Sequence, residues 1–471
     1  MNKNLITISC LAATFGLQAQ TQPPTNFIII NMDDMGWGDL TSQGATGFHT
    51  PNMDRLANEG MRFTNFYVAQ AVSSASRAGL LTGAYPNRIG FAHALNPSAR
   101  IGISDKEMTI AGMLKQKNYA TAAFGKWHLG NLPQFLPTNH GFDEYLGIPY
   151  SNDMWPYHPT WDFPDLPMIE GTKIIIPAMT GADQEQMTTL FTERAVDFIE
   201  RNKNNPFFVY LAHPMPHVPL YVSDKFRGKS EYGLYGDVMM EIDWSIGEIM
   251  NTIDRLGLAE NTLIIVTSDN GPWINYGDHA GSTGGLREGK GGIFEGGMRV
   301  PGLFRWTGTI PAGSINNQLV SQIDLLPTFA YISGAALPEL HIDGVNIISL
   351  LTDAQATSSP REHFLYYYGV NNLKAVRNHR FKLVFEHPGR SYEGYLPGND
   401  GQPGTHAGQR VFEKTLYDLY RDPGERYNVI ELYPEVVETL MKIADEARKD
   451  LGDDLTGAQG ANRRPIGQLN D

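Results

Sequence analysis

Short, unbroken apolar runs recur along the chain, and stretches of helical periodicity separate them; this alternation predicts an α/β fold. Four runs stand out: NFIIIN at 26–31, TAAFG at 121–125, PFFVYLA at 206–212 and TLIIVTS at 262–268. Apolar residues fill them without alternating, so each predicts a strand covered on both faces of a parallel or mixed sheet. Between them, TPNMDRLANEG (50–60) predicts a helix, with Thr50 as its cap, Pro51 in its first turn and Gly60 closing its end. EMTIAGMLKQK (107–117) and YGDVMMEIDWSIGEIMNTIDRLG (235–257) also repeat apolar residues at helical spacing.

The pattern changes near residue 350, where the polar stretch TDAQATSSPRE (352–362) reads as a connection. Beyond it, AVRNHRFKLVFEH (375–387) and TLYDLYRD (415–422) suit antiparallel strands, and PEVVETLMKIADEARKDL (434–451) suits a helix. The expected organisation is a large domain over 20–350 and a smaller α+β domain over 351–471, with a tail that frays from Thr456 onward.

Residues 1–19 read differently: Lys3, an apolar stretch from Leu5 to Gly16, then small residues near Ala19. This is the pattern of a secretory signal, and it places the mature protein outside the cytoplasm, in the periplasm. The stretch is too short for a membrane span, and no later one is long enough. Cys10, the only cysteine, lies within that segment; the residues before it match a lipoprotein box poorly, so a lipid anchor is not expected. Without cysteine the mature chain has no disulfide and no thiolate ligand or nucleophile. A net charge of −14 argues against a nucleic-acid-binding surface, so an anionic substrate must meet a local cation cluster.

Ligands of open α/β sheets bind beyond the carboxyl ends of the strands. The four strands are followed, in turn, by Asn31, Asp33 and Asp34; by Lys126 and His128; by His213 and His217; and by Asp269 and Asn270. Asp33, Asp34, Asp269 and Asn270 offer hard oxygen ligands, suited to Ca²⁺ or Mg²⁺. Carboxylates gathered there would repel one another, which gives the cation a reason. The segment GDHAGSTGGLREGKGGIFEGG (277–297) approaches a phosphate-binding loop but has Gly291 where Ser or Thr should stand. Its glycines instead suit a loop that approaches closely and presents Lys290 to an anion. In SSASRAGLLTG (73–83), Ser73 stands four residues before Arg77 at the start of a helix, as a cap or as a nucleophile.

Taken together, NMDDMGWGDL, HTPNMDRLANEGMRFTNFYV, SSASRAGLLTG, FGKWHLG, PHVP, TSDNG, GKGGIFEGGMRVP, FKLV and LYDLYRDPGE resemble the type I sulfatases of the alkaline phosphatase superfamily. The resemblance covers nearly all of the chain after residue 19. It implies a large mixed, mostly parallel sheet sandwiched by helices. It also implies that Ser73, first residue of a motif with Ala75 and Arg77 in the proline and arginine places, is oxidised to formylglycine by an oxygen-independent radical maturase. Asp33, Asp34, Asp269, Asn270 and modified Ser73 would hold one Ca²⁺; Arg77 and Lys126 would hold the nucleophile; and His128 would be the base that later releases sulfate. His217 and Lys290 would bind sulfate near the leaving oxygen. Ser151 matches a site serine, while Asn152 stands where many members carry His.

The expected activity is hydrolysis of a sulfate monoester on a carbohydrate, with Trp155 to Pro159 and Trp273 as candidate stacking residues for a sugar. The alternatives are a phosphatase or phosphonate hydrolase of the same superfamily, or a sulfated-glycan binding protein whose serine is never matured.

Overall fold

The computed structural model describes residues 24–353 and 355–469; the expected signal, with Cys10, lies outside them. Among the described residues, no helix is long and apolar enough to cross a membrane. The large sheet has 11 strands. In chain order they are β1 (Asn26–Met32), β2 (Met61–Tyr67), β3 (Ala120–Lys126), β4 (Glu144–Ile148), β5 (Met168–Glu170), β6 (Lys173–Ile176), β7 (Phe207–Ala212), β8 (Thr262–Ser268), β9 (Arg299–Arg305), β10 (Ser314–Asn316) and β11 (Val320–Ser321). The spatial order is β10-β2-β9-β8-β1-β7-β3-β4-β5-β6, with β11 also on β2. Strands β8, β1, β7, β3 and β4 are mutually parallel, whereas β9 runs against both β8 and β2.

The four apolar runs are therefore four adjacent parallel strands at the centre of the sheet. Their unbroken hydrophobicity follows from burial on two faces. Phe27 and Ile29 join one core, where Phe27 stacks on Phe329 at 4.1 Å; Ile28 and Ile30 join the other, with Phe198 and Ile242. The first core holds α2 (Ser73–Thr82) and α5 (Leu325–Ser333), and the second holds α1 (Pro51–Glu59), α3 (Met187–Asn202) and α4 (Gly233–Arg255). Each such side chain contributes roughly 1.5–3 kcal/mol on burial, so the carboxyl edge of the sheet rests on a rigid base.

The helix at residues 51–59 forms, but Thr50 does not cap it. The Thr50 hydroxyl accepts from the Thr41 amide at 2.9 Å, and the first-turn amides of Asn52 and Met53 donate to Asp243 of α4 at 3.1 and 2.8 Å. Gly60 closes the helix at φ −142°, extended rather than left-handed.

The C-terminal region has a four-stranded antiparallel sheet, β12 (Phe364–Tyr367), β13 (Leu373–Arg377), β14 (Phe381–Val384) and β17 (Thr415–Asp418), in the order β12-β13-β14-β17. A separate hairpin pairs β15 (His387–Ser391) with β16 (Ala407–Phe412), and helix α6 (Pro434–Leu451) packs on β13 and β14. The architecture is thus a mixed, centrally parallel α/β sheet between helices, with a smaller antiparallel sheet and helix following it. The tail corrects the expectation of fraying. Gly467–Gln468 pairs with Ile101–Gly102, Arg464 bridges Glu107 at 2.7 Å, and its amide donates to the Arg88 carbonyl at 2.6 Å.

Candidate active site

The parallel strands bring their carboxyl ends to one edge, and the residues just beyond them converge there. Met32 is level with Ser268, and Asn31 is level with Ala212, so Asp33, Asp269 and the chain leading to His217 leave the sheet at one height. Helix α2 starts against this edge. Ser73 is its first residue and makes no capping bond; its Oγ donates to Asp33 Oδ1 at 3.1 Å and accepts from Lys126 Nζ at 3.2 Å. Arg77, one turn on and so on the same helix face, is fully buried. Its Nε donates to Asp269 Oδ2 at 2.9 Å, its Nη2 lies 2.8 Å from the same oxygen, and its Nη1 donates to the Lys126 carbonyl at 3.0 Å.

Three cations face three carboxylates here. Lys126 pairs with Asp33, Arg77 with Asp269, and Lys290 with Asp34 at 2.8 Å. Burial pushes the Asp33 carboxyl up, but Lys126, His217 and Arg77 outweigh it and leave the group below its usual value. The carboxylates are therefore offset by side chains, and repulsion alone does not demand a metal. The donor set does fit one. Asp33, Asp34, Asp269, Asn270 and Ser73 supply only hard oxygens, and the buried Asn270 Oδ1 has no hydrogen-bond partner while its Nδ2 donates to Asp34 Oδ1 at 2.6 Å. Adding a divalent ion to a balanced set leaves two positive charges in excess, a field suited to an anion.

His128 and Asp34 both have left-handed backbone, at φ 62° and 64°. Such strain in non-glycine residues gathers at functional sites. His128 Nε2 lies 2.9 Å from the Leu95 carbonyl, which can only accept, so Nε2 carries the proton and Nδ1 keeps a lone pair; Nδ1 has no partner. Burial, then Lys126 and Arg77, hold this imidazole well below its ordinary range, and it is neutral. By the same reasoning His217 donates from Nδ1 to the Val218 carbonyl, leaving Nε2 3.6 Å from Asp34 Oδ2. Asp33, Asp34 and His217 each place a ligand-type atom within 4.8 Å of the others. Ser151 Oγ accepts from Lys126 at 3.1 Å, whereas Asn152 turns away to Gln184 and the Pro219 carbonyl.

Lys290 reaches the site from the glycine-rich loop, its ammonium 4.6 Å from the centroid of the Trp273 ring. Gly291, at φ +87°, lies under the Arg390 side chain, and a Cβ there would stand 2.9 Å from Arg390 Nη1. These groups enclose a pocket of about 170 Å³, lined by Ser73, His128, Ser151, His217, Trp273 and Lys290 among others. A larger cleft of about 590 Å³ beside Arg361, Lys442 and Asp450 has no nucleophile set against a base, so chemistry rather than size locates the site.

Two residues of the four strand endings leave the set: Asn31 lies within β1, its amide donating to the Tyr210 hydroxyl at 3.2 Å, and His213 turns into the core. His213 is buried, bonded to Ser245 of α4 at 2.9 Å and pushed down to about 3 by burial alone, so it is a core residue. Of the aromatic candidates, Trp155 is buried between Tyr157 and Tyr221, while Trp273 lines the pocket. Three polar lining residues were not anticipated. Asp153 directly follows Ser151 and Asn152, and adjacency could have found it. Its carboxyl is raised by burial and then drawn well below the usual range by His217, His158 and Lys290. Tyr368 and Arg390 come from the C-terminal region, and no local motif marks them.

Residues 25–335 match the family model described as sulfatase, and residues 359–468 match the C-terminal region of aryl-sulfatase. The chain is 38% identical over 458 residues to N-acetylgalactosamine-6-sulfatase of Canis lupus familiaris, a match covering 92% of this chain and 86% of that protein. It is 38% identical over 456 residues to arylsulfatase A of Bos taurus, covering 92% and 88%. A solved structure titled for the metabolism of multiple glycosaminoglycans by Bacteroides thetaiotaomicron superposes with a TM-score of 0.78 at 29% identity, covering 90% of this chain and 99% of that one.

Proposed function

The chain belongs to the sulfatase family and is a sulfuric ester hydrolase, and from that premise we propose that it removes an O-sulfate group from a carbohydrate, using Ca²⁺ and a formylglycine made from Ser73. The observation that carries this reading is the seat of Ser73 Oγ: between Asp33 and Lys126, at the wall of a pocket that also holds two cations, Lys290 and Arg390, and two imidazoles, His128 and His217. The carbohydrate class is supported by what the relatives' names say they act on, and by the Trp273 ring beside Lys290, where a sugar face can rest.

Asp33, Asp34, Asp269, Asn270 and residue 73 would hold the Ca²⁺, which supplies positive charge to the sulfuryl oxygens. Oxidised Ser73, once its aldehyde has added water, would carry two hydroxyls on the nucleophilic carbon, and with them a route for expelling sulfate that plain serine lacks. Arg77 fixes Asp269 and the Lys126 main chain, and Lys126 donates to the oxygen on residue 73. His128 Nδ1, bare and unpartnered, takes the proton that release of sulfate requires. Lys290, His217 and Ser151 bind the sulfate group, and Lys290 or His217 protonates the departing alcohol. The same reading makes a radical maturase the transient partner and the periplasm the place of action.

Co-expression with such a maturase should remove two hydrogens from the peptide that carries Ser73, one Ca²⁺ should be found per chain by elemental mass spectrometry, and an aryl sulfate should be hydrolysed. An unchanged Ser73 peptide in an active preparation overturns the nucleophile assignment. Dominant hydrolysis of aryl phosphate with bound zinc overturns the reading as a whole.

A further inference from the structure

The pocket has a second source of positive charge that the reaction above does not use. Arg390 lies in the C-terminal hairpin, and with Tyr368 it lines the same pocket as Ser73 and Lys290. Among the described residues its guanidinium has no carboxylate partner; its one side-chain hydrogen bond is a long donation to the Tyr392 hydroxyl at 3.4 Å. Asp153, which lines the same pocket, faces His158 at 3.6 Å, and the two carboxylates at the hairpin are already engaged. Glu393 is held by Arg287 and Arg410 at 2.8 and 2.9 Å, and Glu288 accepts from the Ser391 hydroxyl and the Tyr392 amide at 2.6 and 2.8 Å. A half-buried arginine without an acid keeps its charge and its donors available to a ligand in the pocket.

The backbone is arranged to put it there. Gly389 pairs with Arg410 and Ser391 with Ala407, so the register of β15 against β16 slips by one residue at Arg390. Such irregularities turn side chains toward a site. The hairpin is latched to the loop that carries Lys290: the Tyr392 hydroxyl donates to the Lys290 carbonyl at 2.6 Å, and Arg390 packs over Gly291, where any Cβ would collide with it. Lys374 adds positive charge from below, its ammonium donating to the Pro388 carbonyl at 2.9 Å and lying 5.5 Å from the centroid of the Tyr368 ring.

We propose that Arg390, with Tyr368, forms a subsite for a second anionic group on the substrate, so that the enzyme prefers saccharides carrying a carboxylate or another sulfate near the ester it cleaves. The guanidinium offers paired N–H donors that match either group, and the Tyr368 hydroxyl offers one more. This rests on the proposed function, because it specifies which sulfated saccharide the pocket takes.

The test compares kcat/KM for the matured enzyme on four substrates: 4-nitrophenyl sulfate, a neutral sugar with one sulfate, the same sugar with two, and a sulfated disaccharide containing a uronate. The wild type should favour one or both doubly anionic saccharides. Arg390→Met should cut kcat/KM on the favoured one about tenfold or more beyond its effect on the singly sulfated sugar, chiefly through KM, and Arg390→Lys should restore part of the loss. The saccharide that suffers the larger loss identifies the group, sulfate or carboxylate. Direct titration of the doubly anionic sugar into Ser73→Ala, with and without Arg390→Met, checks the same difference without turnover. Equal losses on all substrates, or none, overturn the subsite alone. A matured wild type inert on 4-nitrophenyl sulfate and on every saccharide counts against the function itself, and the subsite falls with it.

Discussion

Two clusters of buried charge lie in this molecule. One is the site, with Asp33, Asp34 and Asp269 against Arg77, Lys126 and Lys290. The other joins the large sheet to the C-terminal one. There Glu295 accepts from Tyr67, Arg299 and Lys382 at 2.6, 2.8 and 3.2 Å, Glu425 lies 2.8 Å from Lys382, and Arg377 donates to the Tyr67 hydroxyl. The side chains of Lys382, Glu295 and Glu425 are as inaccessible as those of Arg77 and Asp33. Charge and burial therefore do not separate them. The cavity does: Ser73, His128, Asp153, His217 and Lys290 line it, and no residue of the second cluster does. The first cluster is organised for something that arrives, and the second for holding two sheets together.

Substitutions should divide along this line. The largest effect is expected from Ser73→Ala, which should lower kcat by about 10⁴-fold or more, a loss above ~5 kcal/mol in barrier terms, with the thermal midpoint unchanged. Lys382→Met should do the reverse: Glu425, left buried without its cation while Glu295 keeps Arg299, should cost about 3–5 kcal/mol in urea unfolding, while turnover per folded molecule persists. Lys290→Met should lower kcat/KM by about 10²–10³-fold, or ~3–4 kcal/mol, with little change in unfolding midpoint. If Lys290→Met instead unfolds the protein, or Lys382→Met abolishes turnover of the folded fraction, the contrast between the clusters fails.

A further effect is expected on pH dependence. Buried His213 is held at about 3, below the 6.5 of an unfolded histidine, so between those values the unfolded chain binds the extra proton. Its contribution to stability is complete above pH 6.5 and is lost as pH falls toward 3, by up to about 1.4 kcal/mol per pH unit. His213→Gln should flatten that part of the stability profile without shifting the pH profile of kcat. A shift in the activity profile would return His213 to the site from which its packing removes it.

The fold and most of the site were legible because their signals are local. A strand buried on both faces must be apolar throughout, and the residue after its carboxyl end is a fixed number of positions away, so Asp33, Lys126 and Asp269 could be read directly. His213 was misread for the same reason: it follows a strand as the others do, but its ring turns into the core beside Ser245, a contact 32 residues distant. Arg390, Tyr368 and the second charge cluster depend on how the C-terminal sheet docks, and the anchoring of the tail on Ile101–Gly102 depends on pairing across most of the chain. Hydrophobic periodicity carries no information about such partners. The absence of a cap at Thr50 has the same origin, since the amides it would have served are met by Asp243.

The imidazole of His128 owes its tautomer to the Leu95 carbonyl, Arg77 is held partly by the Lys126 carbonyl, and Tyr392 grips the Lys290 carbonyl. Carbonyl oxygens belong to every amino acid. The side chain at position 95, packed against the core, can therefore be exchanged for another apolar one while the proton on His128 stays where it is, and a change of backbone path through residues 93–97 would disturb this imidazole more than such an exchange.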